Sequence, residues 1–378
     1  MELDFSFSEE QEAIRELARE ILEAEAPIER VKEAEATPGW LDDALWKQCA
    51  EANLLGIGID EKHGGMGMGF GELCVLLEEV GRVCAPGPWL GTLVSAAMPL
   101  AEFGSDAQQS AWLPKIAAGS AIMTAALEDA DSADPLAPAT TAAADGGAFV
   151  LNGTKLAVPF AGTAAAVLVP ASTPDGVAIF IVPGDAAGLS AAGTVTTTGE
   201  PLFEVTLRDV RVDADARLPG DGAAILGWLR TRLQTAVAIL QVGVSDRALR
   251  ITADYTTERV QFGVPVGSFQ AVQHRQADGF IDLQAMRWTS WRAAWRIAEG
   301  LPAERDAMVA KWWTADGGAR IAAACVHMHG GLGADTDYPI HRYFYWSKAL
   351  ELTAGGASQT LSDLGRDMAT AGRTEEVG

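Results

Sequence analysis

The segment "ERVQFGVPVGSFQAVQH", residues 258–274, carries the side chains best suited to hold a ligand. The guanidinium of Arg259 presents a rigid fork of donors that matches a pair of oxygens on a carboxylate or a phosphate. Gln270, at the start of a helical pattern, offers an amide, and Phe262 lies between them. The generic alternative gives Arg259 a surface salt bridge and makes Gln270 a cap in the turn.

Other catalytic chemistries find little support in the residue pattern. The histidines form no zinc-binding HExxH, and no GxSxG nucleophile elbow occurs. The four cysteines show no paired short spacing, which predicts buried reduced thiols rather than disulfides or a zinc site. The histidines are His63, His274, His327, His329 and His341.

Composition limits the possible partners. The net charge of −23 over 378 residues would repel a phosphate backbone, so we expect no nucleic-acid role. No run of about twenty apolar residues offers a membrane span. The beginning "MELDFSFSEEQ" is acidic and lacks the pattern of a secretory signal, which predicts a cytoplasmic protein.

The elements that must position these residues follow the order α, then β, then α. "SEEQ" predicts a capping box of Ser8 and Gln11 before a first helix, and helical patterns dominate to about residue 120. Short Val, Ile and Ala runs then predict a β region, and long helical patterns follow. We therefore predict domains at 1–121, 122–217 and 218–378. Tryptophans spaced i, i+3, i+7 at 288, 291 and 295 predict a buried helix face or a subunit interface.

Four motifs in this order give the chain a resemblance to the acyl-CoA dehydrogenase family over nearly its whole length. They are the segment quoted above, "HGGLGADTDYPIHR" at 329–342, "DEKHGGMGMG" at 60–69 and "LNGTK" at 151–155. The resemblance implies an α+β multidomain fold with an N-terminal helical domain, a middle β domain and a C-terminal four-helix bundle. It also implies FAD at a dimer interface and an acyl-CoA substrate, from which a carboxylate takes the α proton while the β hydrogen leaves as hydride.

The resemblance assigns one set of residues to the FAD of the neighbouring subunit. These residues, which one subunit supplies to the FAD of its partner, are called the lent half-site. The glutamine that the family has three residues before its glycine pair is His327 here, so this contact is altered. The residues that match the family are Arg259, Phe262, Gln270, Gly330 and Gly331.

The residues that the family uses for its own flavin are replaced. Ala157 stands at the position of a tryptophan and Pro159 at that of a threonine. In the family's Thr-Glu-Pro loop, Leu127 replaces the threonine, Glu128 is kept and Asp129 replaces the proline. These positions, which would contact the flavin bound by the subunit itself, are called the own half-site. Three of the contacts expected with that flavin are lost together.

The catalytic carboxylate is also missing. An ungapped alignment of "YPIHRYFYWSKALELTAGG" places Ala354 at the family's glutamate. Some members keep the glutamate on the first long C-terminal helix, where this chain has Leu233 followed by Gln234. Glu351, one turn before Ala354, is a candidate for a displaced base, although such a residue usually lies on a solvated helix face. Glu128 is a weaker candidate.

An intact lent half-site beside a degraded own half-site predicts a heteromer. The chain would be a subunit without a catalytic base, sharing FAD with a catalytic acyl-CoA dehydrogenase chain in a heterotetramer that passes electrons to an electron-transfer acceptor. Family members with this division of labour dehydrogenate steroid side-chain CoA esters, and Ala157 would leave room for bulky rings. Two alternatives stay open: a homomeric enzyme with a displaced base, and a flavin-free scaffold that binds CoA esters or proteins.

Overall fold

A computed structural model describes residues 6–37 and 39–371 of the chain. Helices come first and last, and strands lie between them. The helices are α1 Glu9–Glu25, α2 Ile28–Glu35, α3 Asp43–Glu51, α4 Phe70–Val83, α5 Met98–Phe103, α6 Asp106–Ala117, α7 Gly222–Glu258, α8 Gln270–Ala298, α9 Glu304–His329, α10 Ile340–Leu352 and α11 Ala357–Ala371. A π-helix spans Trp89–Ala97. The predicted α+β fold class is therefore confirmed, as is the α, β, α order.

The strands fall in the predicted middle region, except for one small hairpin. They are β1 Met123–Ala125, β2 Glu128–Asp129, β3 Thr141–Asp145, β4 Ala148–Pro159, β5 Ala166–Thr173, β6 Gly176–Pro183, β7 Leu189–Thr194 and β8 Leu202–Asp213, then β9 Val260–Gln261 and β10 Val264–Pro265. The first eight form one sheet in the order β1-β5-β3-β4-β8-β7, with β2 beside β4 and β6 beside β5.

The beginning of α1 follows the sequence prediction. The Ser8 side chain accepts a hydrogen bond from the Gln11 backbone, and the Gln11 side chain accepts one from the Ser8 backbone. Both amides would otherwise be unsatisfied at the helix end. The predicted capping box is confirmed.

Contacts divide the chain into two compact units, each discontinuous along the sequence. The helical unit comprises the described parts of Met1–Ile28, Phe70–Ala85 and Thr231–Gly378. The sheet unit comprises the described parts of Glu29–Gly69 and Pro86–Arg230. The three-domain boundaries at 1–121, 122–217 and 218–378 stay a prediction.

The sheet unit is built around alternating apolar residues of its strands. Leu151, Val167, Phe180 and Val205 are among the fully buried side chains of its core. Most strand pairs are antiparallel, and β1 and β5 pair in parallel. No helix in the described part of the chain is long and apolar enough to cross a membrane. All four cysteines are buried and none forms a disulfide with another, as predicted.

The tryptophan stripe of α8 does not form a buried face. Trp288 is 50% exposed, and all three tryptophans line a cleft of about 550 Å³ in the helical unit. The buried side of α8 instead consists of smaller residues: Gly279, Leu283, Met286, Ser290, Ala293, Ala294 and Ile297. The buried-face prediction is wrong because residues smaller than tryptophan form the side of α8 that packs against the neighbouring helices, and the tryptophans lie on the opposite side.

Helices α4 and α7 of the helical unit touch through two glycines. A Cβ on Gly81 would lie 2.2 Å from the Leu240 carbonyl oxygen, and one on Gly243 would lie 2.0 Å from the Glu78 carbonyl oxygen. Neither distance allows a side chain, and backbone atoms cannot move away as a flexible side chain can. The two glycines thus fix how closely these helices pack.

Replacing Gly243 by alanine is expected to destabilise the chain strongly. The methyl group would force α4 and α7 apart, at a cost of about 3 kcal/mol of unfolding free energy. Gly227 is the matched control, because it lies in the same helix and a Cβ there meets nothing within 4 Å. Gly227→Ala should be neutral or stabilise by up to about 1 kcal/mol. Urea denaturation of both variants measures the difference, and equal effects would contradict the close-packing interpretation.

Candidate functional site

A tight hairpin presents Phe262 at the surface of the helical unit. Strands β9 and β10 pair Gln261 with Val264, so Phe262 and Gly263 form the turn. Both have positive φ, 54° and 83°, as a two-residue hairpin turn of this type requires. A bulky residue rarely adopts this conformation, and Phe262 is 93% exposed. Its ring lies in a T-shaped arrangement with that of Phe269, at 6.2 Å between centroids.

Arg259 and Gln270 flank this hairpin with unused polar groups. The Arg259 backbone is fixed by hydrogen bonds to Tyr255 and from Val266. Its exposed guanidinium, however, forms no ion pair or hydrogen bond with any residue that the structure describes. Gln270 begins α8, and its N-cap residue Phe269 provides no side-chain cap, so the amides of Gln270 and Ala271 have no acceptor among the described residues. The salt bridge that the generic alternative gives Arg259 is absent among the residues that the structure describes.

The glycine pair follows the end of α9. Gly330 has φ 61° and ψ −134°, a conformation that only glycine adopts readily. A Cβ on Gly330 or on Gly331 would meet nothing within 4 Å, so the backbone there is open to a ligand. His327, one turn earlier, is exposed, and its Nδ1 lies 2.7 Å from Nη1 of Arg275. Within the helical unit, the predicted lent residues all lie on accessible surface.

His329 anchors the glycine pair from the inside. Its Nδ1 bonds to the Cys325 carbonyl oxygen at 2.8 Å, and its ring stacks on Tyr255 at 4.4 Å between centroids. The side chain is 3% exposed, and burial lowers its pKa. Nε2 has no partner among the described residues. The residue directly before the glycine pair is thus held in place by contacts inside the helical unit.

The own half-site lies in the sheet unit and takes a different form. Ala157 is exposed at φ 49°, where the pairing of β4 with β8 shifts register between Lys155 and Val158. Pro159 packs near Gly91 of the π-helix, since a Cβ on Gly91 would lie 3.6 Å from the Pro159 ring. None of these residues offers a side-chain donor, and Pro159 also lacks an amide proton. Neither Ala157 nor Pro159 therefore offers a side-chain group that could bond to the edge of a flavin.

Asp129 has a role that the sequence analysis missed. Its carboxylate lies 2.6 Å from Nζ of Lys155 and accepts hydrogen bonds from the backbone and hydroxyl of Thr140. Lys155 is fully buried, and burial lowers its pKa. The available signal was strand alternation, because Lys155 shares the core-facing side of β4 with Leu151 and therefore needs a buried acid.

The two possible positions of a catalytic carboxylate lie together in the helical unit. Gln234 Nε2 donates a hydrogen bond to the Ala354 carbonyl oxygen at 3.2 Å, which places Leu233 and Ala354 on neighbouring segments. Ala354 has φ 58°, and Leu233 is 9% exposed. The structure therefore brings together the residues that the alignment selected separately, and neither one can accept a proton.

Glu351 is engaged elsewhere. Its carboxylate forms an ion pair with Lys348 on the same helix turn, and its backbone carbonyl oxygen accepts a hydrogen bond from Lys311 at 3.0 Å. Lys311 also donates to the Leu350 carbonyl oxygen at 3.2 Å and so closes the end of α10. Burial of this lysine lowers its pKa to about 8. A buried lysine cap, which sequence reasoning did not find, fixes the segment leading to Ala354.

This lysine should give the unfolding free energy a recognisable pH dependence. Between pH about 8 and about 10.4 the unfolded chain binds more protons at this site than the folded chain. The Lys311 contribution to stability is therefore expected to rise with pH through that window, by up to about 3 kcal/mol. Urea denaturation of Lys311→Met against wild type at both ends of the window isolates this slope. Lys348→Met, which removes an exposed lysine, should leave it unchanged.

The two half-sites therefore differ in what they can bind. The lent half-site offers an unpaired guanidinium, an amide, open helix amides and an exposed aromatic ring, which fit a planar, phosphate-bearing cofactor such as FAD. The own half-site offers no equivalent side-chain donors at 157 and 159. No carboxylate lies at either position expected for a base.

Comparisons with known proteins give one consistent result. Family models match residues 8–120 (acyl-CoA dehydrogenase, N-terminal domain), 123–210 (middle domain) and 220–368 (C-terminal domain). "Acyl-CoA dehydrogenase FadE27" from Mycobacterium tuberculosis (strain ATCC 25618 / H37Rv) is 37% identical over 376 residues, which is 97% of this chain and 99% of that protein.

Two solved structures are similar in sequence and fold. A variant of the Tcur3481-Tcur3483 steroid ACAD is 43% identical, with a TM-score of 0.91. The ChsE4-ChsE5 complex from Mycobacterium tuberculosis is 36% identical, with a TM-score of 0.93. Each match covers 97% of this chain and 99% of the other.

Proposed function

The chain belongs to the acyl-CoA dehydrogenase family of FAD-binding oxidoreductases, and from this premise we propose that it is the subunit without a catalytic base in a heteromeric enzyme. Its partner would be a second family member that carries the base and binds the acyl-CoA substrate. Bound FAD supplies the hydride acceptor of the dehydrogenation. This chain would contribute residues that hold the partner's FAD.

The observation that carries this proposal is the missing carboxylate. Removing a proton next to a thioester carbonyl needs a positioned base, because that proton is weakly acidic. Both positions that could supply the base are apolar here, Leu233 and Ala354, and they lie on neighbouring segments joined by the Gln234 hydrogen bond. Glu351 is held by Lys348. A subunit of this kind needs another chain to perform the proton transfer.

The contrast between the half-sites supports a lending role. Arg259, Phe262 and Gln270 are exposed on one hairpin and helix start, and Gly330 and Gly331 leave open backbone at the end of α9. A strained, exposed phenylalanine with no core to fill is best explained by a contact that forms on assembly. The guanidinium would pair with pyrophosphate oxygens of the partner's FAD, and Phe262 would cover a ring.

Two similar structures support a proposal for the substrate class. The Tcur3481-Tcur3483 protein is described as a steroid ACAD, and ChsE4-ChsE5 is a complex. We extend both features to this chain and propose a heterotetramer that dehydrogenates a bulky steroid side-chain CoA ester. A separate electron-transfer acceptor would then reoxidise the flavin.

Flavin content and native mass test the proposal directly. The chain should be purified alone and after co-expression with a family member that carries a glutamate at either base position. We expect about one FAD per two chains, found only in the co-expressed particle of tetramer size. One FAD on every chain of a homo-oligomer would instead support an enzyme with a displaced base. A colourless assembly with the partner would support a flavin-free scaffold.

A further inference from the structure

One hydrogen bond joins the two segments that carry the lent half-site. Arg275 lies on the second turn of α8, after Gln270, and His327 lies on the last turn of α9, before Gly330. Nη1 of Arg275 and Nδ1 of His327 are 2.7 Å apart. This inference rests on the proposed function, because it concerns the same cofactor contact.

The chemistry of the two side chains fixes the state of the imidazole. An arginine guanidinium has only donors, so the ring nitrogen facing it must be the acceptor. Nδ1 of His327 therefore carries no proton, and in the neutral ring the proton resides on Nε2. An imidazolium would direct a second donor, and a second positive charge, at Arg275. The pair thus selects one tautomer of a residue that would otherwise populate two.

The selected tautomer leaves one donor directed away from the pair. Nε2 of His327 bonds to no residue that the structure describes, and the side chain is exposed. Its position is the one at which the family has a glutamine, whose amide nitrogen is also a donor. A histidine reproduces the donor of that amide when its outward nitrogen carries the proton, and the bond to Arg275 favours this tautomer.

We propose that His327 donates its Nε2 proton in a hydrogen bond to an acceptor oxygen of the partner subunit's FAD, and that Arg275 is the positioning residue that fixes the tautomer and the ring orientation. In the free chain the bond is open to water and contributes little. Assembly excludes water, and a donor aimed at an oxygen of a charged cofactor then becomes considerably stronger.

The test is a set of four variants in the assembled complex, each stripped of FAD and titrated with FAD while flavin fluorescence is recorded. His327→Ala and Arg275→Met should each weaken FAD binding by roughly tenfold, the range expected for one hydrogen bond to a charged group. His327→Gln should bind FAD about as tightly as wild type. In the His327→Gln background, Arg275→Met should have no further effect, because an amide has no tautomer to select.

The double variant, Arg275→Met with His327→Gln, tests whether Arg275 acts through the His327 tautomer or contacts FAD directly. If Arg275→Met weakens FAD binding equally with His327 or Gln at position 327, Arg275 acts directly and the proposal fails. It also fails if His327→Ala binds FAD normally. Arg259→Met in the same assay separates failure of this inference from failure of the proposed function. If Arg259→Met also leaves FAD binding unchanged, the lending role itself is wrong. Native mass must show an intact complex throughout, and Arg211→Met, at an exposed arginine of the sheet unit, is the control.

Discussion

Replacing Arg259 by methionine is expected to remove most of the FAD from the assembled complex. Methionine keeps much of the side-chain length and loses the charge and all five donors. A guanidinium that pairs with pyrophosphate oxygens in a buried interface would leave that anion without its partner, so FAD affinity should fall by about 100-fold. Equilibrium titration of the apo-complex measures the affinity, and the flavin retained through gel filtration gives a second value.

A lysine variant of Arg259 and a control at a distant arginine test whether the guanidinium fork itself is needed. Arg259→Lys keeps the charge without the fork, so its loss of FAD affinity should be intermediate, about tenfold. Arg211→Met removes an arginine that is paired with Asp145 in the sheet unit and should leave binding unchanged. Full FAD affinity in Arg259→Met would show that the unpaired guanidinium has some other use, and the lending role would have to be abandoned.

The local structure around the proposed lent half-site could be predicted from sequence because its elements are short and continuous. Gly263 and the extended residues around it favour a hairpin, and Gly330 marks the end of a long helix. Spacing within such segments is nearly fixed, so a matched motif places its side chains. The motif could not predict the backbone strain at Phe262. Its positive φ can be recognised only in the structure.

Pairs that are distant in the sequence escaped prediction. Asp129 meets Lys155 across neighbouring strands, and Lys311 reaches the carbonyl oxygens of Leu350 and Glu351 from another helix. A single sequence gives the periodicity of each element, not the register in which two elements meet. Strand alternation could have marked Lys155 as buried, but nothing local identified its partner.

The tryptophan stripe shows the opposite error. A helical spacing of apolar residues predicts a face that meets something, and the core was the usual choice. In α8 the small residues Ala293 and Ala294 occupy the core side, and Trp288, Trp291 and Trp295 lie at a cleft. Periodicity indicates that a face exists, whereas residue size decides which of two faces packs against the neighbouring helices.

Turnover of the complex should depend on a carboxylate of the partner and not on Glu351. Removing a positioned general base lowers turnover by roughly 10²- to 10⁴-fold, so substitution of the partner's glutamate should have an effect of that size. Glu351→Gln should leave turnover unchanged, since this carboxylate is paired with Lys348 and its backbone carbonyl oxygen is fixed by Lys311. Steady-state assays of both variants, on complexes with equal flavin content, separate the proton transfer from cofactor binding.

A loss of turnover in Glu351→Gln at full flavin content would show that the base lies in this chain. Because Lys348→Gln would then free the same carboxylate from its ion pair, its effect on the pH profile of turnover would show whether Glu351 takes the proton itself.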